Sequence, residues 1–285
     1  MGERALRDGP QICPERKRHG RKRGWIRLLL PAVLSGLAVF GCCCRGWLPS
    51  DEKLPLPMAQ ALEGQHTRAE GAVKSYAGEM GIPYESYPQS LIELLERNPE
   101  TEEFVLGYPF REEREIDLSG YDLTEGVPLF LQWDTMWGYE IYGSDMIGIT
   151  GCGPACLAMA GYYLTGDPHM NPAEVAEFAW ENGYYEAGYG SSWALISEGG
   201  EKLGLTVREL PLVKKKIVNS LEKGNPVILA LGPGDFTTAG HYVVLAGVEE
   251  GKFRVNDPNS RANSERLWSY EELEGQIRNI WSIGR

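Results

Sequence analysis

The chain is short of cysteine where it would have to fold. Of its six cysteines, Cys13 lies in a basic leading segment and Cys42, Cys43 and Cys44 follow an apolar run, so only Cys152 and Cys156 remain for the body. That excludes a disulfide framework as the source of stability, and the body must stand on an apolar core. Apolar residues, 42% of 285, suffice for one and exclude disorder as a description of the whole chain. Two cysteines also make no structural zinc site, because two further ligands at suitable spacing are needed and none is evident. Basic charge is scarce beyond residue 27. Nine of the 28 Lys and Arg, with three of the 40 acids, fall in residues 1–27, leaving 19 basic against 37 acidic residues in the rest. A body so acidic does not wrap nucleic-acid phosphates, and nucleic acid is set aside as a partner. No internal repeat is visible.

Residues 28–44 (LLLPAVLSGLAVFGCCC) carry no charge. As a helix they span about 25 Å, and Trp25, Ile26, Trp47 and Leu48 extend the run at both ends, where Trp suits a membrane interface. The expectation is a basic cytosolic tail (1–27), then a membrane anchor or signal segment (28–48). The positive-inside rule places the acidic body outside the cytoplasm. A cleaved secretory signal, or a lipoprotein signal ending at Cys42, are the rivals, and both give the same sidedness.

Residues 49–66 are polar and Pro-rich and read as a linker. Over 67–126 the spacing of Leu91, Leu94 and Leu95 predicts a small helical preface, broken at Asn98-Pro99. The main domain, 127–285, follows. Pro154 suits a first helical turn and Gly166 a stop, so a helix runs from 152 to about 164, apolar on nearly every side and therefore central. Further helices are predicted from Asn171-Pro172 to Gly183, from a Ser191 or Ser192 cap to 203–204, and over 213–221. Strands are predicted at 226–231, 241–248 and 252–256. Helices first and antiparallel strands afterwards make an α+β domain.

Cys152 stands between two glycines at the leading end of the central helix, where partial positive charge favours the thiolate that a nucleophile requires. Cys156, one turn further into an apolar helix, fits a buried structural thiol. His241 opens a strand after a glycine-rich loop, and Asp257 closes the next one. A three-residue hairpin loop at 249–251 would set Val248 opposite Lys252 and Asp257 opposite Val243. His241 and Asp257 then become diagonal neighbours on one face, whereas a slip of one residue would separate them. Such a carboxylate fixes the imidazole tautomer and stabilises its charged form. Gln132 precedes Cys152 by twenty residues, and its amide suits an oxyanion donor beside the Cys152 N–H. Trp133, Trp137, Tyr139 and Tyr142 suit a substrate cleft or the core equally. The 183–192 and 232–240 loops are candidates to flank a cleft, with ordinary connecting loops the plainer account.

Gln132-Trp133, the segment 151–159 (GCGPACLAM), 240–245 (GHYVVL) and Asn256-Asp257-Pro258 together resemble the bacteriocin-leader cysteine peptidases, peptidase family 39, in their stand-alone form. The resemblance covers roughly 127–285. It implies a papain-like fold, with Cys152 as nucleophile, His241 as acid and base, Asp257 as orienter and Gln132 in the oxyanion hole. It implies no cofactor and no metal, and a peptide or peptide-like substrate. The chain departs from the leader-processing type in lacking a Gly-x-x-x-x-Gly-Lys-Ser/Thr motif and in a longer Gln-to-Cys gap, which puts the double-glycine leader substrate in doubt. The expected function is therefore a membrane-tethered, extracytoplasmic cysteine peptidase. Its alternatives are a thiol-dependent peptidoglycan amidase or acyl or peptidyl transferase, and a catalytically silent peptide-binding domain.

Overall fold

The computed structural model describes the backbone of residues 56–285 and side chains from Arg68 onward, Glu113 excepted. The expected tail (1–27) and apolar segment (28–48) lie outside the described residues. Among the described residues no helix is long and apolar enough to cross a membrane.

Helix α1 (Leu56–Met80) takes up residues 56–66, which the sequence reading assigned to the linker. Met, Ala, Gln, Leu and Glu are good helix formers, and Pro57 falls in the first turn, where its missing N–H costs nothing. Helices α2 (Gln89–Arg97) and α3 (Glu102–Gly107) complete the preface. Leu91, Ile92, Leu94 and Leu95 of α2 bury one face against Val73 and Ala77 of α1 and Phe104 and Val105 of α3. The same cluster takes in Leu131, Trp133 and Met146, so the preface shares its core with the segment leading to the site.

A two-residue hairpin, β1 (Ile141–Tyr142) and β2 (Asp145–Met146), leads through the short α4 (Ile147–Thr150) into α5 (Cys152–Thr165). Helix α5 ends on Gly166 in the left-handed conformation (φ 69°) that glycine adopts without steric cost. Asn171 caps α6 (Pro172–Glu181) by accepting from the Glu174 N–H. The strands β3 (Tyr185–Glu186) and β4 (Gly190–Ser191) form a small strap. Ser191, expected as a possible helix cap, lies in that strap instead, and the helix that follows widens into a π turn (Leu195–Gly199) before α7 (Gly200–Lys202).

Six antiparallel strands form the main sheet, in the order β5 (Thr206–Glu209), β10 (Ile277–Gly284), β6 (Val227–Leu231), β7 (His241–Glu249), β8 (Lys252–Asn256) and β9 (Leu267–Trp268). The three expected strands are β6, β7 and β8; the other three were not anticipated. Ile228, Ala230, Tyr242, Val244, Trp281 and Ile283 face α5. Val227, Leu229, Leu231, Val243 and Leu245 face a second core with Ile217 of α8 (Lys214–Leu221). Both faces are covered, which is why β6 is apolar at every position.

The β7–β8 hairpin corrects the expected turn and preserves its consequence. The loop has two residues, Glu250 and Gly251, with Glu249 opposite Lys252. A β-bulge between Leu245 and Gly247 then restores one residue of register, so that Leu245 faces Val255 and Val244 faces Asn256. Continued by one residue, that register sets Val243 opposite Asp257, the pairing expected from the wrong turn.

Candidate active site

Cys152 is the first residue of α5 and is half-buried. The leading N–H groups of a helix have no partner within it, and Pro154 offers none to satisfy. Both flanking glycines are required by space. A Cβ on Gly151 would stand 2.5 Å from the Ile147 carbonyl oxygen, and one on Gly153 would stand 2.6 Å from Ser191 Oγ. Cys156 is fully buried, and burial pushes its thiol well up, Cys152 and Asp257 adding to the effect. It is the core thiol that its helical position suggested.

His241 opens β7 with 9% of its surface exposed, and its Nε2–H donates to Asp257 Oδ1 at 2.7 Å. Nδ1 is then the ring nitrogen left to face the cavity that His241 lines together with Cys152. Burial alone pulls the imidazole down. The Asp257 carboxylate and Cys152 overcome that and push it up to about 10.

Asp257 is 1% exposed and is held by neighbours that the sequence reading missed. Its Oδ1 also accepts from the Asn259 N–H at 2.9 Å, and its Oδ2 from Asn263 Nδ2 at 2.8 Å. Its own N–H donates to Ser264 Oγ at 2.9 Å. Ser260 caps α9 (Arg261–Glu265), which carries Asn263 and Ser264. The available signal was the polar run 259–264 directly after Asp257-Pro258, with a serine at the cap position.

Gln132 is buried between the two halves of the site. Its N–H donates to the Pro258 carbonyl at 2.7 Å, next to Asp257. Its side-chain amide donates to the Gly148 carbonyl at 3.0 Å and lies 3.4 Å from the Ile149 carbonyl, just before Cys152. Two carbonyls facing Nε2 fix the amide's orientation. Oε1 is left buried without a hydrogen bond.

Cys152 and His241 line a cavity of about 540 Å³ together with Glu186, Tyr189, Ser192, Trp193, Gly240 and Tyr242. Both glycine-rich loops therefore border it, and Tyr189 (88% exposed) and Trp193 (50%) are its aromatic walls. The cluster offered by the sequence goes elsewhere: Trp133, Trp137 and Tyr142 are buried, and Tyr139 stacks on Phe104. Tyr142 still supports the site, sharing a 2.7 Å hydrogen bond with Ser191 Oγ, while the Tyr242 hydroxyl donates to the Ser191 carbonyl at 3.1 Å. Burial pushes both phenols up, so they stay neutral. A second cleft of about 500 Å³, between Tyr121, Asp134, Arg254 and Glu265, contains none of the four expected site residues. Among the described residues no group of three or more His, Cys, Asp or Glu side chains is placed to hold a metal ion.

Residues 124–283 match the family model described as the Peptidase_C39 like family. No curated protein matches the chain. Similar solved structures include the peptidase domain of Streptococcus ComA, a bifunctional ABC transporter involved in a quorum-sensing pathway. It is 20% identical, over 55% of this chain and 98% of that one, with a TM-score of 0.40. Another is a protein assigned as a C39-like peptidase from Bacillus anthracis, 16% identical over 56% of this chain and 94% of that one, with a TM-score of 0.37. The family model spans more than half of the chain, from the 3₁₀ turn before Gln132 to the last strand of the sheet, and on that match the chain belongs to the Peptidase_C39-like family of papain-like peptidases.

Proposed function

We propose that the protein is a cysteine peptidase that hydrolyses peptide bonds without a cofactor, through Cys152, His241 and Asp257. The observation that carries this reading is the buried 2.7 Å bond from His241 Nε2 to Asp257, beside a cavity whose lining holds both that imidazole and the Cys152 sulfur at a helix N-terminus. The Cys152 thiolate attacks the scissile carbonyl, and the oxyanion meets the Cys152 N–H and the second N–H of the Gln132 amide, which leaves its long contact with Ile149. The His241 imidazolium protonates the leaving amine; the neutral ring then takes a proton from water, which releases the acyl group from sulfur. An open cavity with two aromatic walls suits an extended peptide. Cys152→Ala is expected to reduce hydrolysis of a defined peptide mixture by ~10³-fold or more while thermal unfolding stays native-like. Undiminished turnover would refute the assignment.

The uncharged run 28–44 behind a basic block supports a further part of the reading, a body tethered by 28–48 outside the cytoplasm. Fractionation of cells expressing the full chain, and the chain without residues 1–48, tests it: a body that stays soluble in both contradicts a tether.

A further inference from the structure

We propose that Glu100, in the helical preface, is a positioning residue for the active site: it clamps the turn that carries Asp257 and so sets that carboxylate against His241. The inference rests on the reading of Cys152, His241 and Asp257 as the reacting group, and it reaches outside the segment 124–283 that the family model covers.

Glu100 is 160 residues from its partners in sequence. Its Oε1 accepts from Ser260 Oγ at 2.7 Å, its Oε2 accepts from the Arg261 N–H at 2.8 Å, and Oε1 lies 3.5 Å from the Ala262 N–H. These are the groups at the leading end of α9, a five-residue helix too short to hold itself. A carboxylate there satisfies orphan donors with charge-assisted bonds and complements the helix dipole. The clamp connects to the reacting group through named bonds. Ser260 Oγ, which donates to Glu100, accepts from the Asn263 N–H at 3.2 Å, and Asn263 Nδ2 donates to Asp257 Oδ2. Ser264 Oγ donates to the Ser260 carbonyl at 2.7 Å and receives the Asp257 N–H.

Two neighbours in the preface reinforce the bracket. Asn98 Nδ2 donates to the Asn259 carbonyl at 2.5 Å, and Asn259 N–H donates to Asp257 Oδ1. Phe104 packs so closely on Gly138 and Gly148 that a Cβ on either would meet its ring at 2.7 Å. Gly148 carries the carbonyl that holds Gln132. The preface thus grips both sides of the site, and none of its described residues lines the cavity at Cys152.

Cys152 from α5 and Asp257 beyond β8 are the titratable groups that face His241. Loosening Asp257 is therefore read out at the imidazole, which a merely stabilising role for Glu100 would leave alone. The test compares the full chain with Glu100→Ala, Glu100→Gln and, as a control, Glu102→Ala, an exposed acid close by in the preface. Peptide hydrolysis gives kcat and KM, and NMR of ring-labelled histidine gives the His241 titration. In Glu100→Ala kcat is expected to fall ~10- to 100-fold at unchanged KM. The His241 midpoint should move down from about 10 toward the ordinary 6.5. Glu100→Gln, which keeps one acceptor oxygen, should lie between, and Glu102→Ala should match the native chain. A native His241 titration in folded Glu100 variants, or activity lost only in step with the folded fraction, overturns the proposal. If Glu100→Ala does not fold, Glu100→Gln decides. If the native chain cleaves no peptide, the peptidase reading fails separately, and the titration still decides the role of Glu100.

Discussion

His241 carries a charge that its burial would deny it. An imidazole 9% exposed should be neutral near pH 7, but the Asp257 carboxylate and Cys152 reverse the balance and hold it protonated to about pH 10. The linkage has a definite sign. The folded value lies above the ordinary 6.5, so the imidazolium stabilises the native state fully below pH 6.5; the contribution declines above that and is lost as pH rises through about 10. Comparing urea unfolding of the native chain and His241→Gln at pH 6, 8 and 10.5 isolates it. The native chain's advantage is expected to be largest at pH 6 and to shrink steadily toward pH 10.5, and a constant difference would count against the buried ion pair. Gln132 shows how far residue type alone can carry an inference. Its amide is placed beside the backbone just ahead of Cys152, but its nearest partners are the carbonyls of Gly148 and Ile149, a detail that no spacing could reveal.

The elements differ in how much of them could be read beforehand. Helix α5 was legible because three independent signals agree: Pro154 in the first turn, an unbroken apolar run, and Gly166 where the chain must turn left-handed. Strand β10 was not, because a register shift at Arg278 breaks its alternation, although it sits between β5 and β6. The β7–β8 hairpin was read with a wrong turn and a right pairing, since the bulge at Ala246 compensates for the shorter loop. That shorter loop also holds a local weakness. Glu250 has φ 52°, and no other described non-glycine residue has a positive φ. A two-residue turn with both φ values positive favours Asn-Gly. Glu250→Asn is expected to raise stability by about 1 kcal/mol in urea unfolding, with peptide hydrolysis unchanged. A destabilised variant would mean that the Glu250 side chain contributes something its backbone conformation hides.

At the scale of the whole molecule, one helix end and the leading end of an inner strand are brought together by two cores and a bracket. The sheet is apolar on both faces, so its register cannot slip without moving buried residues into the wrong layer. The preface adds a third apolar cluster that reaches Leu131, Trp133 and Met146, tying residues ahead of Gln132 and Cys152 to α1, α2 and α3. The α+β class and the placing of His241 beside Asp257 were legible in the sequence, because residue type, helix punctuation and hairpin register bear on them. The support from Asn98 and Glu100 was not, because hydrogen bonds across 160 residues leave no periodic trace. Asn98-Pro99, read as a helix break, is the point where the preface reaches the site.

The central claim is that the Cys152 sulfur and the His241 ring act as one unit. Alkylation of the native chain by iodoacetamide at pH 7, with each modified cysteine identified by mass spectrometry, tests it most directly when set beside His241→Ala. The account predicts rapid labelling of Cys152, no labelling of buried Cys156 in the folded protein, and a rate at Cys152 at least ~10-fold lower in His241→Ala. Equal rates at Cys152 with and without the imidazole would contradict it.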